Sequence, residues 1–317
     1  MLRPADVRRL IRTLLDRHDG SAPEITLEAN PENLTPARCH AWRDAGITRL
    51  SIGVQSFQTK DLERLERLHT PELIPQVVEN ARLAGFENIS LDLMFALPGQ
   101  TLNEWRDNLR AAIALRPQHI SFYGLTIHEN TPFFDERRAG KLREIDDELQ
   151  AEMYLWGSRF LRDEGFEHYE ISNFAVPGFR SVHNQRYWNK DDVVGLGPGA
   201  HSNLGAWRWF NPDDLDGWRE GLRAGSLPRA KPSQLDEEGD VEEELFRRLR
   251  RAEGFSSSGG GASPKLFFEW LDTGIGRQAE NEGWIAREGK RARLTPEGWL
   301  RSDAILLSIL GMRRVAG

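Results

Sequence analysis

Four polar side chains recur at equivalent places along the first 130 residues: Glu28 in EITLEAN (24–30), Gln55 in RLSIGVQSF (49–57), Asp92 in ISLDLMF (89–95) and Tyr123 in HISFYGLTI (119–127). Each falls toward the C-terminal end of a run that predicts a strand, the end where parallel α/β folds gather their sites. Two carboxylates, a carboxamide and a phenol at one rim can hydrogen-bond the hydroxyls and amino groups of a polar ligand. The alternative is that each merely caps a helix or satisfies a loop.

A second dense stretch is HNQRYWNKDDVVGLGPGAH (183–201). His183 beside Tyr187 or Trp188 would suit a planar macrocycle with a metal ligand, although a histidine buried in an aromatic cluster uses the same residues. The GLGPGAH loop (195–201) lets backbone approach a ligand or another element closely, but lacks the strand–turn–helix context of a nucleotide fingerprint. His201 is a candidate second ligand or a loop-capping side chain. The other histidines (18, 40, 69, 119, 128, 168) show no metal-ligand spacing. Cys39 precedes His40 inside a predicted helix, where consecutive residues point about 100° apart, so the two form no dyad. The acidic runs Asp146–Glu148 and Asp236–Asp240 sit at helix starts, where they complement the positive end.

These residues need a frame. Pro4 to His18 carries Val7, Leu10, Ile11, Leu14 and Leu15 at helical spacing. Thr35-Pro36 opens a helix that Gly46 closes, and further helical patterns fill 60–68, 71–84 and 101–115. Strands alternating with helices predict βαβ units and a parallel sheet. Strand parity divides the residues: Ile25, Leu27, Leu50, Ile52, Val54, Ile89, Leu91, Leu93, Ile120 and Phe122 share one face. Thr26, Glu28, Ser51, Gly53, Gln55, Ser90, Asp92, Ser121 and Tyr123 share the other. A barrel enclosing a polar ligand would have such an inner face, whereas an ordinary parallel sheet is apolar on both. Further on, residues 236–317 read as a small helical module with helix–helix–wing order.

The chain has 317 residues, a formal net charge of −7 and one cysteine. The charge and pI near 5.7 argue against a dedicated nucleic-acid binder. A single thiol excludes an intrachain disulfide framework and any cysteine-rich metal site built by this sequence alone. No run approaches the ~18 apolar residues of a membrane span.

Taken together, LEANPENL (27–34), RLSIGVQSF (49–57), ERLHT (66–70), DLMFALPGQT (92–101), YEISNFA (169–175), HNQRYW (183–188) and GLGPGAHS (195–202) resemble the HemW family. These are radical S-adenosylmethionine proteins related to the oxygen-independent coproporphyrinogen III oxidase. The resemblance implies S-adenosylmethionine contacts at Glu28, Gln55, Arg67 and Asp92, with Thr126 lining the adenine. It implies heme at the HNxxYW motif, with His183 the iron ligand and Tyr187 and Trp188 packing nearby. It also implies a cytoplasmic heme chaperone, with an unidentified acceptor protein and room for a homodimer or transient membrane association.

The family's CxxxCxxC motif, which binds a [4Fe–4S] cluster, and its GGGTPS turn are absent from this sequence. The expected fold is therefore α/β: a partial (β/α)6 TIM-like barrel lacking its first two βα units, with a small, mostly helical, winged-helix-like C-terminal domain. The expected divisions are 1–130 for the remaining barrel, 131–235 for an extension carrying HNxxYW, and 236–317 for the last module. An N-terminally incomplete chain of this kind would expose a sheet edge, predicting low stability, and would not cleave S-adenosylmethionine reductively. Three functions follow from the sequence: a heme chaperone or porphyrin-related enzyme such as the decarboxylating oxidase, a heme carrier without radical chemistry, or a fragment without function.

Overall fold

The computed structural model describes residues 3–16, 20 and 23–316; Met1 and the expected helix end at His18 lie outside them. The chain divides into two compact units between Arg180 and Ser181. The expected segment 131–235 is thus shared between the units, its first part belonging with the sheet.

The first unit is α/β. In chain order it contains α1 (Pro4–Leu15), β1 (Thr26–Ala29), α2 (Pro36–Ala45), β2 (Arg49–Gln55), α3 (Thr59–Arg64), α4 (Leu73–Leu83), β3 (Ile89–Phe95), α5 (Leu102–Ala114), β4 (His119–Gly124), α6 (Pro132–Arg138), α7 (Asp147–Asp163), β5 (Glu167–Glu170) and β6 (Asn173–Ala175). Local signals set the helix starts. Thr35 Oγ1 accepts from the Arg38 N–H with Pro36 at the first helical position, Thr101 and Glu104 form a capping box, and Asp146 caps α7. Val7 and Ile11 of α1 are buried, while Leu10 and Leu14 of the same predicted stripe are exposed.

The sheet runs β1-β2-β3-β4-β6-β5. Strands β1 to β4 are parallel, each joined to the next by helix. The four parallel strands are those expected of a (β/α)6 barrel lacking two units, and strands β6 and β5 extend them as an antiparallel hairpin, so the sheet is mixed. The reason is length: only Ile171 and Ser172 separate β5 from β6, and a parallel connection needs a dozen or more residues. The apolar parity face packs under the helices, with Leu50, Ile52, Val54, Leu91, Leu93 and Ile120 fully buried. Trp105 of α5 meets Phe122 edge-on at 5.4 Å and donates its indole N–H to the Met153 carbonyl of α7 at 2.9 Å.

The second unit begins with α8 (Val182–Asn189), followed by the antiparallel strands β7 (His201–Leu204) and β8 (Trp207–Phe210), helix α9 (Leu215–Arg223) and the short strand β9 (Ser233–Gln234) beside β8. Then come α10 (Glu237–Leu249), β10 (Phe255–Ser256), α11 (Ala262–Leu271), α12 (Gly274–Asn281), the wing β11 (Ile285–Glu288) and β12 (Arg291–Leu294), α13 (Pro296–Trp299) and α14 (Ser302–Ala316). The helix–helix–wing order of the sequence is present, packed around Leu249, Phe255, Phe267, Trp270 and Trp299. No helix among the described residues is long and apolar enough to cross a membrane.

The β5–β6 hairpin explains the YEISNFA motif. Glu170 is 1% exposed and accepts from Asn173 Nδ2 and from the Ser172 N–H at 3.3 Å. Burial pushes its carboxyl up to about 7. A carboxyl raised in the fold but not in the unfolded chain favours the native state at low pH. That contribution falls as pH rises from the unfolded value near 4.5 to about 7, by on the order of 3 kcal/mol. Glu170→Gln, which stays neutral, is expected to flatten this slope. Melting temperatures of both proteins between pH 4.5 and 8 check it: the wild type should lose several degrees relative to the variant as pH rises.

Candidate functional site

The polar parity face of the first unit carries most of the residues singled out by sequence. Strand β2 ends irregularly: its register against β3 shifts between Ile52 and Gln55, and Gln55 adopts a left-handed φ of 65°. That conformation costs a non-glycine residue about 1 kcal/mol. It folds the carboxamide back over Gly53, where a Cβ would lie 2.9 Å from Gln55 Nε2 and 3.1 Å from Arg67 Nη2. Gly53 is thus the floor of a small polar cradle, and only hydrogen fits there without moving its walls.

Arg67 reaches this cradle because α3 ends at Arg64 and Glu66, with φ 52°, turns the chain back. His69, two residues on, then anchors the segment by contacting the Val54 carbonyl through Nε2 at 3.1 Å. Burial holds this imidazole below its usual range. The Arg67 guanidinium donates to Asn30 Oδ1 at 2.9 Å and to the Gly53 carbonyl at 3.3 Å. A buried network beneath fixes the start of α3. Ser56 Oγ donates to Asp61 at 2.7 Å, Gln100 Nε2 donates to the same carboxylate oxygen at 3.1 Å, and the Phe57 N–H donates to Asn108 at 2.8 Å. This ties the QSF and LPGQ motifs together.

Asp92 sits lower on the same face. Its carboxylate accepts from Ser51 Oγ at 3.0 and 2.9 Å and from Ser90 Oγ at 3.2 Å. Burial raises its pKa, against the hydroxyls and the Arg49 charge. Ser90 Oγ also lies 2.8 Å from His119 Nδ1, and His119 Nε2 lies 2.8 Å from the Tyr169 hydroxyl. Burial pushes the Tyr123 phenol up to about 12, and the charges of Asp92, Glu170 and Glu28 add to the shift. Those acidic groups therefore share one electrostatic neighbourhood. Glu28 is exposed on the edge strand β1. Thr126, expected near the end of its strand, lies two residues beyond β4 and is exposed, because β4 stops at Gly124.

Sequence reasoning missed Arg49, Asp61, His69, Gln100, Asn108, His119 and Glu170. All are buried; Asp61, His69, Gln100, Asn108 and His119 contact partners distant in sequence, whereas Glu170 is held by its neighbours Ser172 and Asn173. Parity could have placed Arg49 and His119 on the polar face, since both continue the series through Ser51 and Ser121.

Iron–sulfur chemistry finds no counterpart among the described residues. Cys39 is the sequence's one cysteine; it is buried on α2, where burial pushes its thiol up to about 11. No three His, Cys, Asp or Glu side chains gather as a metal site among the described residues. The residues present do not fit a [4Fe–4S] cluster.

In the second unit, His183 and Tyr187 lie one turn apart on α8 with their rings edge-on at 4.9 Å, and Trp188 follows, half-buried. His183 itself is exposed, unlike a histidine buried in an aromatic cluster. The GLGPGAH loop makes its close approach to β7: a Cβ on Gly195 would stand 2.4 Å from the His201 carbonyl oxygen. Ser202 Oγ accepts from the Gly195 N–H at 2.9 Å. The imidazole of His201 lies against Phe210 at 5.7 Å and lines a cavity with Tyr187 and Trp188. The two sequence candidates Tyr187 and Trp188 are thus brought together with His201.

Residues 2–112 match the radical SAM superfamily. The chain is 34% identical over 276 residues to the heme chaperone HemW of Bacillus subtilis, covering 84% of this chain and 73% of that protein. It is 31% identical over 300 residues to HemW of Lactococcus lactis, covering 94% and 79% respectively. Among solved structures, coproporphyrinogen III oxidase (HemN) from Escherichia coli shares the fold with a TM-score of 0.77 at 20% identity, over 97% of this chain and 74% of that one. The chain belongs to the HemW family of heme chaperones within the radical SAM superfamily.

Proposed function

We propose that this chain binds S-adenosylmethionine at the polar rim of its first unit, binds heme in its second, and delivers heme to an acceptor protein in the cytoplasm. The observation that carries the first part is the cradle at Gly53. Because Gly53 has no Cβ, the Gln55 carboxamide and the Arg67 guanidinium close over the strand side by side, and together they offer polar atoms to the amino and carboxylate groups of the methionyl moiety. The Arg67 guanidinium suits that carboxylate, which it can hold bidentately. The exposed Glu28 carboxylate suits ribose hydroxyls. Asp92, held by two serine hydroxyls, keeps an acceptor on the same face. Thr126, beyond the end of β4, is available to the adenine. When bound, S-adenosylmethionine supplies an activated sulfonium carbon. The reading for this chain is binding and carriage without a radical step, since its residues do not fit a cluster.

The heme part rests on α8. A helix carrying an imidazole and a phenol one turn apart, followed by an indole, offers an iron ligand at His183 and flat apolar surfaces at Tyr187 and Trp188.

Calorimetric titration with S-adenosylmethionine tests the cradle. Arg67→Ala is expected to weaken binding about tenfold, equivalent to about 1.4 kcal/mol. Gly53→Ala should weaken binding at least tenfold while the protein stays folded, because the added Cβ meets only the side-chain ends of Gln55, Arg67 and Asn30. Unchanged affinity in both variants, or no binding by the wild type at millimolar ligand, would sink the assignment.

Delivery has its own readout. Heme-loaded protein mixed with an apo heme protein should transfer its Soret band faster than heme released by dilution alone, and equal rates would count against chaperone action.

A further inference from the structure

The second unit holds a cavity of about 510 Å³ walled by α8, the β7–β8–β9 sheet and α10. This lies within the roughly 300–1,000 Å³ of ligand pockets. Strand pairing sets one wall. His201 stands opposite Phe210, Asn203 opposite Arg208, and Arg208 opposite Ser233. Directly opposed side chains share a face, so His201, Phe210 and Arg208 point the same way, and Lys231 lines the cavity just before β9. Helix α10 supplies the facing wall with Glu243, Phe246 and Arg247, spaced to lie on one side of a helix. Helix α8 adds Tyr187 and Trp188.

Two properties of this cavity narrow its ligand. Its aromatic rims are wet: Tyr187 is 42% exposed, Phe210 50% and Phe246 42%. Exposed aromatic surface gathered around one concavity is the mark of a site for a flat apolar partner. Its charge is unbalanced. Three cations, Arg208, Lys231 and Arg247, line it against one carboxylate, Glu243. That carboxylate is engaged by both guanidiniums, taking Arg208 Nη2 at 3.1 and 2.8 Å as well as Arg247. The remaining excess of two positive charges matches a ligand with two carboxylates.

We infer that this cavity takes a planar macrocycle bearing two carboxylates, with Lys231, Arg208 and Arg247 holding the carboxylates and His201 presenting an imidazole to the metal. This deepens the heme-binding reading and rests on it. His183 is not among the residues lining the cavity, so the imidazole presented there is that of His201, from the sheet side. The cargo is heme, and its propionates supply the two negative charges.

Optical and tryptophan-fluorescence titrations of the full chain test the inference, using ferric heme, metal-free protoporphyrin and its dimethyl ester, with His40→Ala on the first unit as control. Trp188 and Trp209 both line the cavity, so ligand should quench their emission. The wild type and the control are expected to bind protoporphyrin at least tenfold more tightly than the ester. Lys231→Ala should lose about tenfold in affinity for the free acid and most of the preference over the ester. His201→Ala should move the Soret maximum of bound ferric heme by several nanometres yet bind metal-free protoporphyrin within twofold of wild type. Both mutated side chains are exposed, so these variants are expected to fold. A His201→Ala Soret band identical to wild type, or an unchanged acid-to-ester ratio in Lys231→Ala, overturns the assignment and leaves heme binding itself standing. Failure of the wild type to bind either heme or protoporphyrin overturns both.

Discussion

A continuous hydrogen-bonded chain crosses the polar face of the first unit's sheet, from Ser51 through Asp92, Ser90 and His119 to Tyr169. Every member is small or fixed in role. Ionised Asp92 can only accept, so Ser51 and Ser90 donate to it. With its proton directed at Asp92, Ser90 accepts from His119 Nδ1, which leaves Nε2 to accept from the Tyr169 hydroxyl. The imidazole is then neutral, in keeping with burial holding it well below its usual range. A buried polar group left without a partner costs about 1–3 kcal/mol, so removing one link leaves two orphans. This constraint keeps the sheet's second face polar along its length, and the polar rim stands on it.

The same constraint decides what could be read without coordinates. One strand face is apolar and the other polar, so parity alone put Glu28, Ser51 and Asp92 together. It also brought Gln55 to the right place, although β2 breaks register before that residue and its side chain arrives by a left-handed turn instead of simple alternation. Arg67 had no such pattern: it depends on a chain reversal at Glu66 and on His69 docking against Val54, contacts that leave no periodic trace. Asp61, Gln100 and Asn108 pair across 5 to 52 positions, beyond any local spacing rule. The antiparallel hairpin was legible in principle, because two residues between strands forbid a crossover. The division at Arg180 was not, since it depends on which core the segment 131–180 joins.

The two units solve opposite electrostatic problems. In the first, burial raises the pKa of Asp92 and Glu170 while hydroxyls and amides satisfy them, so the face offers directional hydrogen bonds. Such a surface suits a compact ligand whose own donors and acceptors are many and fixed. In the second, Arg247 is 7% exposed and its pKa is lowered by burial, yet its one carboxylate neighbour at the cavity is shared with Arg208. Holding cations together around half-exposed aromatic rings is unfavourable for an empty protein on both counts, the like charges repelling and the rings remaining wet. A flat dianion relieves both at once: its face covers the rings and its carboxylates neutralise the excess charge. Any ligand lacking either property relieves only one, which makes the pairing of apolar plane and double negative charge the selective feature of the second unit.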